Sequence, residues 1–325
     1  MTEAAPTKSD DHPLQHLPVG LFAMVMGLAG LTLATLRLEH AHHAAPGASF
    51  WLFVLSVLAF LVIGSAYALK ALRHPAAVEA DWNHPIRLAF FPAATIGLIL
   101  IGTAAMPLAP AAGSLIWMLG SALHLIMTLT VVSTWIGHRS FEAVHLNPAW
   151  FIPAVGNVIV PIVGVRLGFV ELSWFFFSVG IVFWIILSTL VFNRLIFHSP
   201  LPERLMPTLM ILVAPPAIGF VSYTALTGGI DPFARILYYA AVAFTLVFLT
   251  QAGRLSKLPF MVSWWAYSFP FAALTIATFV YGEMTGVAMA TTAAHVLYAV
   301  LVVVIAFLFA RTILGFARGQ ILKPE

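Results

Sequence analysis

The chain reads as long apolar runs separated by short polar punctuation. The runs cover residues 17–36, 50–70, 86–106, 112–136, 149–165, 172–193, 205–224, 234–251, 260–281 and 287–310. About 20 residues at ~1.5 Å rise cross a hydrocarbon core of about 30 Å, so the pattern predicts ten membrane-spanning helices. The fifth run is short, as a broken or tilted segment would be. The expected organisation is a polar tail over 1–16, a transmembrane domain over 17–316 and a second tail over 317–325. No small-residue cleavage site follows the first run, which is therefore expected to remain as a span.

Proline divides the runs into two classes. Pro18 (at the start of the first run), Pro92, Pro153 and Pro161, Pro215 and Pro216, and Pro270 fall in odd-numbered runs, and the even-numbered runs carry none. A proline inside a helix removes a hydrogen bond and kinks the backbone. In lipid the freed carbonyl must be satisfied by protein or water. The odd runs are therefore expected to cluster inside, and five such helices around an axis leave a central hole. The even runs, such as 172–193, are apolar on nearly every face and suit contact with lipid. The expected fold class is all-α, built from five helical hairpins that each pair a breakable helix with a continuous one. Plain kinking of packed helices is the alternative reading of the prolines. The ninth run concentrates the pattern: Ser268, Phe269 and Pro270 place a small polar group, an aromatic plug and a backbone break at one depth, which suggests a narrow passage.

Composition agrees with a polytopic membrane protein. Of 325 residues, 61% are hydrophobic and 8% charged, against roughly 25% charged in soluble domains. The absence of cysteine excludes disulfides, thiolate metal sites and thiol nucleophiles. Lys8, Lys70, Arg73, Arg87, Arg139, Arg194, Arg204, Arg254, Lys257, Arg311, Arg318 and Lys323 lie in the tails or the loops after even runs, leaving only Arg37, Arg166 and Arg235 after odd runs. By the positive-inside rule both termini are cytoplasmic.

No Asp, Glu, Lys or Arg falls near the middle of a run, which weakens ion-coupled mechanisms and cation conduction. An anion can still be stabilised by half-helix N-termini exposed at the proline breaks, with basic residues at the mouth raising its local concentration. Candidate lining residues are Gly20, Phe22, Phe91, Pro92, Pro153, Asn157, Pro215, Pro216, Ser268 and Pro270. Asn157 could offer its amide to an anion or tie two helices. Core packing is the default for the phenylalanines. His124 and His295 suit interhelical hydrogen bonds. His40, His42 and His43 form a polar loop run with a possible weak affinity for metal. Glu171 and Glu283 are expected to be solvated. No phosphate-binding, dinucleotide or zinc-protease motif occurs, so no cofactor, metal, nucleic-acid partner or enzymatic role is expected.

Four stretches carry a resemblance: HPIRLAFFP (84–92), NPAWFIPAVGNVIVPIVG (147–164), LMILVAPPAIGF (209–220) and WWAYSFPFA (264–272), together with LPVGLFAMVMGLAGL (17–31). They resemble the tellurite-resistance/dicarboxylate transporter family, which includes bacterial tellurite-resistance protein A and the slow-type anion channels of plant guard cells. The resemblance implies ten helices in five hairpins with quasi-fivefold symmetry around a central pore, assembled as trimers in a bacterial inner membrane. It implies a phenylalanine gate in the aromatic-Ser/Thr-Phe element of the ninth helix, here Tyr267-Ser268-Phe269, so the gate is expected at Phe269. Pro270 and Phe271 follow the plant pattern. The chain has no counterpart of the long plant regulatory tails, so gating through their phosphorylation is not expected. The resemblance implies a passive anion channel or facilitator. A proton-linked exporter of malate, sulfite or tellurite is the alternative, and an integral membrane enzyme is a more distant one.

Overall fold

The computed structural model describes residues 12–137 and 141–323, and every regular element among them is helical. Lys8 and Arg139, used in the charge count above, lie outside the described residues. In chain order come α1 (Phe22–Ala41), α2 (Ala48–Arg73), a short α3 (Pro75–Asn83), α4 (Pro92–Ala105) and α5 (Pro110–Ile136). Two fragments, α6 (Phe151–Val155) and α7 (Pro161–Gly164), precede α8 (Val170–Phe197). Then follow α9 (Ala214–Thr227), α10 (Pro232–Thr250), the single turn α11 (Ala252–Leu255), α12 (Ser268–Thr285) and α13 (Ala288–Ala317). Eight segments are long and apolar enough to cross a bilayer, with a shorter apolar one at Pro148–Gly164. The expected ninth span, 260–281, is helical but is not among the eight; it carries the less hydrophobic run SWWAYS before Phe269.

Within the odd-numbered segments, Pro92, Pro161, Pro215 and Pro270 stand where a 3₁₀ run gives way to an α-helix, so the break falls at a change of helix type. The segments begin as 3₁₀ runs at Val19–Leu21, Arg87–Phe90, Pro148–Trp150, Glu203–Leu212 and Val262–Tyr267, with another at Gly156–Ile159. Pro92 is the first residue of α4, Pro161 the first of α7, Pro215 the second of α9 and Pro270 the third of α12. The N–H just ahead of each α-helix donates back into the 3₁₀ run, as Phe91 to the Leu88 carbonyl, Val213 to Met210 and Ser268 to Trp265, and proline is favoured at the start of the helix proper. Its fixed φ also suits the α-helix that follows.

Each of these segments packs on the helix after it: α1 on α2, α4 on α5, α6 on α8, α9 on α10 and α12 on α13. The 3₁₀ runs also touch one another in succession, 19–21 with 87–90, then 148–150, 203–212 and 262–267, and the last touches the first. Burial follows the proline classes. The most apolar windows of Val19–Ala41, Arg87–Ala105 and Glu203–Thr227 are 78%, 67% and 78% buried, whereas those of α2, α5, α8, α10 and α13 are between 17% and 33%. The exposed side chains of the latter are apolar, among them Leu61, Val62, Ile126, Ile185, Leu246 and Val303. Such surfaces suit hydrocarbon.

The basic loop after α2 is tied down by a buried carboxylate. Asp81 of α3 is buried and takes hydrogen bonds from Lys70 Nζ (2.6 Å), Tyr67 Oη (3.1 Å) and Arg87 (3.0 Å). Lys70 Nζ also donates to the Leu17 carbonyl at 2.9 Å. One carboxylate thus joins α2, α3, the start of the α4 segment and the N-terminal approach. Removing one partner of a buried ion pair leaves an uncompensated charge, at a cost of about 3–5 kcal/mol. We therefore expect Asp81→Ala to lower the melting temperature in detergent sharply, and Lys70→Met/Asp81→Leu to recover most of the loss.

Candidate functional site

Two cavities meet in the middle of the molecule. The larger, about 490 Å³, opens toward the end that carries the short connections 42–47, 106–109 and 165–169. The smaller, about 40 Å³, lies toward the 3₁₀ runs and has apolar walls that include Met26, Ile96, Phe151 and Ile211. Phe269, Ile159 and Ile218 line both cavities. These three side chains, from α12, the 156–159 run and α9, stand between them.

The seat of Phe269 is made by glycines. A Cβ on Gly27 would overlap the Ser268 hydroxyl, and one on Gly30 would lie 2.9 Å from Ala272 Cβ and 3.5 Å from Phe269 Cδ2. The bare face of α1 lets α12 approach closely, as small residues do between membrane helices. Ser268 donates to the Trp265 carbonyl at 2.6 Å, and Trp265 Nε1 donates to Thr312 Oγ1 on α13 at 2.9 Å. The ring of Phe269 is thus held at the start of α12 and is only 9% exposed.

The larger cavity is rimmed by charge. Arg37 and Arg166 both line it. Arg37 pairs with Glu283, so that glutamate is engaged rather than freely solvated. Glu39, also on the rim, accepts hydrogen bonds from the Gly47 and Ser49 amides at 3.0 and 3.1 Å, which folds the turn after α1 back on itself. No ion pair holds Arg166 among the described residues. The rim therefore carries two arginines and the Glu39 carboxylate, with Arg37 neutralised by Glu283, at the end where basic residues are scarce. Below it the walls become neutral.

Of the residues expected to line a passage, Phe269 and Pro215 reach the cavities. The Phe22 ring packs on Phe60 and Tyr67 of α2, and the Phe91 ring on Tyr67 and Trp82 (centroids 6.0 and 4.9 Å). Gly20 lies beside Phe90 and Val262, at the junction of three 3₁₀ runs. Pro92, Pro153, Pro216, Ser268 and Pro270 are buried beside the walls without lining them. Asn157 is fully buried, and its Nδ2 donates to Thr128 Oγ1 (2.9 Å) and the Ala154 carbonyl (2.8 Å). Thr128 in turn donates to the Pro153 carbonyl at 2.6 Å. This set binds α5 to the broken segment and satisfies a carbonyl at the break. His124 likewise meets Thr95 of α4 at 2.8 Å. The readings of Arg37, Arg166, Ile159 and Ile218 were missed from sequence. The isoleucines had a signal: like Phe269, each lies within two residues of a proline in an odd segment.

Residues 16–313 match the family described as SLAC1, voltage-dependent anion channel. S-type anion channel SLAH3 of Arabidopsis thaliana is 27% identical over 93% of this chain and 48% of its own length. The tellurite resistance protein TehA homolog of Haemophilus influenzae is 28% identical over 79% of each chain. An uncharacterized transporter of Methanocaldococcus jannaschii is 26% identical over 79% of this chain and 82% of its own. The chain spans about half the length of the plant channels SLAH2, SLAH3 and SLAC1.

The Asn157 geometry yields a coupling. Interhelical hydrogen bonds in membranes are worth about 1 kcal/mol, so Asn157→Ala should lower stability by about that amount. Added to it, Thr128→Ala should cost less than it does alone, because the Asn157–Thr128 bond is already gone and only the bond to the Pro153 carbonyl remains to be lost; a double-mutant cycle of melting temperatures measures this.

Proposed function

The chain belongs to the SLAC1 family of voltage-dependent anion channels, and from that premise we propose that it is a passive anion channel or channel-like facilitator, closed by Phe269. The observation that carries the reading is the shared wall: Phe269, Ile159 and Ile218 separate a large cavity with a charged rim from a small apolar one. On this reading the ten helical segments form five hairpins in quasi-fivefold array around one conduit per chain. Both termini face the cytoplasm of a bacterial inner membrane, and three chains assemble together. The charge-rimmed cavity then faces outward. Gly20, Pro215 and the proline-capped helix starts shape the path, with Phe22, Phe91, Pro92, Pro153, Asn157, Pro216, Ser268 and Pro270 supporting its walls.

The chemistry is that of a permeant ion crossing a nonpolar neck. Arg166, which no ion pair holds among the described residues, attracts anions to the rim, an effect that falls as salt shortens the Debye length to about 8 Å at physiological strength. Within the neck no side chain replaces the hydration shell, so weakly hydrated monovalent anions pass most readily. Weak binding favours throughput over capture. Opening requires the Phe269 ring to leave its seat against Gly30; an off-rotamer χ costs of order 1 kcal/mol, to which lost packing adds.

Reconstituted into liposomes under a chloride gradient, Phe269→Ala should raise chloride flux at least about fivefold over wild type, the factor that ~1 kcal/mol represents. Reversal potentials should show anion selectivity. Unchanged flux in a correctly folded protein would remove Phe269 from the gate, and saturable flux of malate or sulfite without conductance would favour a coupled exporter. Arg166→Glu should reduce chloride flux, with the deficit shrinking as ionic strength rises.

A further inference from the structure

We propose that His42 and His295 form a two-histidine site for a divalent transition-metal cation of the Zn²⁺ class, at the short-connection end of the molecule. Their Nε2 atoms lie 3.1 Å apart, although the residues are 253 positions apart in sequence. His295 Nδ1 lies 2.7 Å from the Thr291 carbonyl oxygen one turn earlier in α13. A carbonyl only accepts, so Nδ1 carries the hydrogen and the neutral ring presents the lone pair of Nε2 toward His42. A ligating histidine is ordinarily fixed in this way, its far nitrogen donating to a carbonyl or carboxylate. Phe279 packs edge-on against the same ring, with centroids 5.2 Å apart.

His42 is held from the other side. It caps α1, its amide donating to Leu38 and His40 carbonyls, and the turn is closed by Ala44 N–H to the Glu39 carbonyl at 2.8 Å. Two nitrogens each ~2.0–2.1 Å from a tetrahedral zinc are about 3.3 Å apart, so the pair needs a shift of only a few tenths of an ångström. Without metal the rings share one hydrogen, donated by His42 Nε2. A bound cation takes its place, with His42 in its Nδ1–H tautomer. No third His, Cys, Asp or Glu joins the pair among the described residues, so water fills the remaining coordination positions. The bridge joins the end of α1 to α13. It thereby braces the turn whose His40, Ala44 and Pro46 line the larger cavity. The site makes no demand on what the protein transports.

The test is calorimetric titration of Zn²⁺ into the purified full-length chain, carrying no polyhistidine tag. One ion per chain is expected, weakened at least about tenfold in His295→Gln and in His42→Gln, and within twofold of wild type in His40→Gln/His43→Gln. Zn²⁺ should raise the melting temperature of wild type and not of His295→Gln. Equal affinity in His295→Gln and wild type, or binding lost with His40 and His43 instead, would overturn the site.

Discussion

Everything in this molecule turns on where a backbone without an N–H can stand inside a membrane. In hydrocarbon an unsatisfied carbonyl has no water to turn to, so a proline in mid-helix is a liability. Here Pro92, Pro161, Pro215 and Pro270 fall in the first turn of an α-helix, at a change of helix type where proline is best tolerated. The backbone ahead of each is wound as 3₁₀, and those runs lean on one another in closed succession. Irregular backbone is thereby kept in the protein interior, and the continuous helices α2, α5, α8, α10 and α13 form the apolar exterior.

The interior holds together with little hydrophobic advantage, since lipid tails are as apolar as leucine. Close approach substitutes for it. Gly27 and Gly30 bring α1 against α12, and Gly180 brings α8 against Val158. A few buried polar ties add direction: Asn157 with Thr128, His124 with Thr95, Trp265 with Thr312. At the basic end, the Asp81 carboxylate gathers Lys70, Tyr67 and Arg87. Precision near Phe269 is thus inherited from glycine contacts and from ties placed one helix away.

Much of this was legible in the sequence. Proline alternation separated interior from exterior segments, because the rule behind it is local chemistry of the backbone. Phe269 stood out through its neighbours Ser268 and Pro270 and through family resemblance. What could not be read was side-chain direction. Phe22 and Phe91 sit on interior segments yet turn toward α2 and α3, a choice set by the aromatic cluster of Tyr67 and Trp82. For Asn157 an anion contact and an interhelical tie were both open, and the tie is what forms, because its partner lies 29 residues away on α5. Arg37 pairing with Glu283 across 246 residues is equally invisible to any local pattern. The prolines themselves were seen, but their exact turn within the helix depended on the 3₁₀ runs, which carry no distinct composition.

The contrast between the two cavities has an electrical consequence. The larger is broad enough and polar enough at its rim to hold water and ions, so it shares the potential of the solution it opens to. The smaller has room for a water or two at about 30 Å³ each and walls that offer no hydrogen bond, the condition under which cavities stay dry. Membrane voltage falls where conductive solution stops. On the proposed reading, the field then concentrates in the apolar layer that begins at Phe269, instead of spreading evenly over the ~30 Å of hydrocarbon. Of the ~2.3 kcal/mol per 100 mV that an elementary charge gains across the whole membrane, the water-filled cavity then takes the lesser part and the apolar layer the greater.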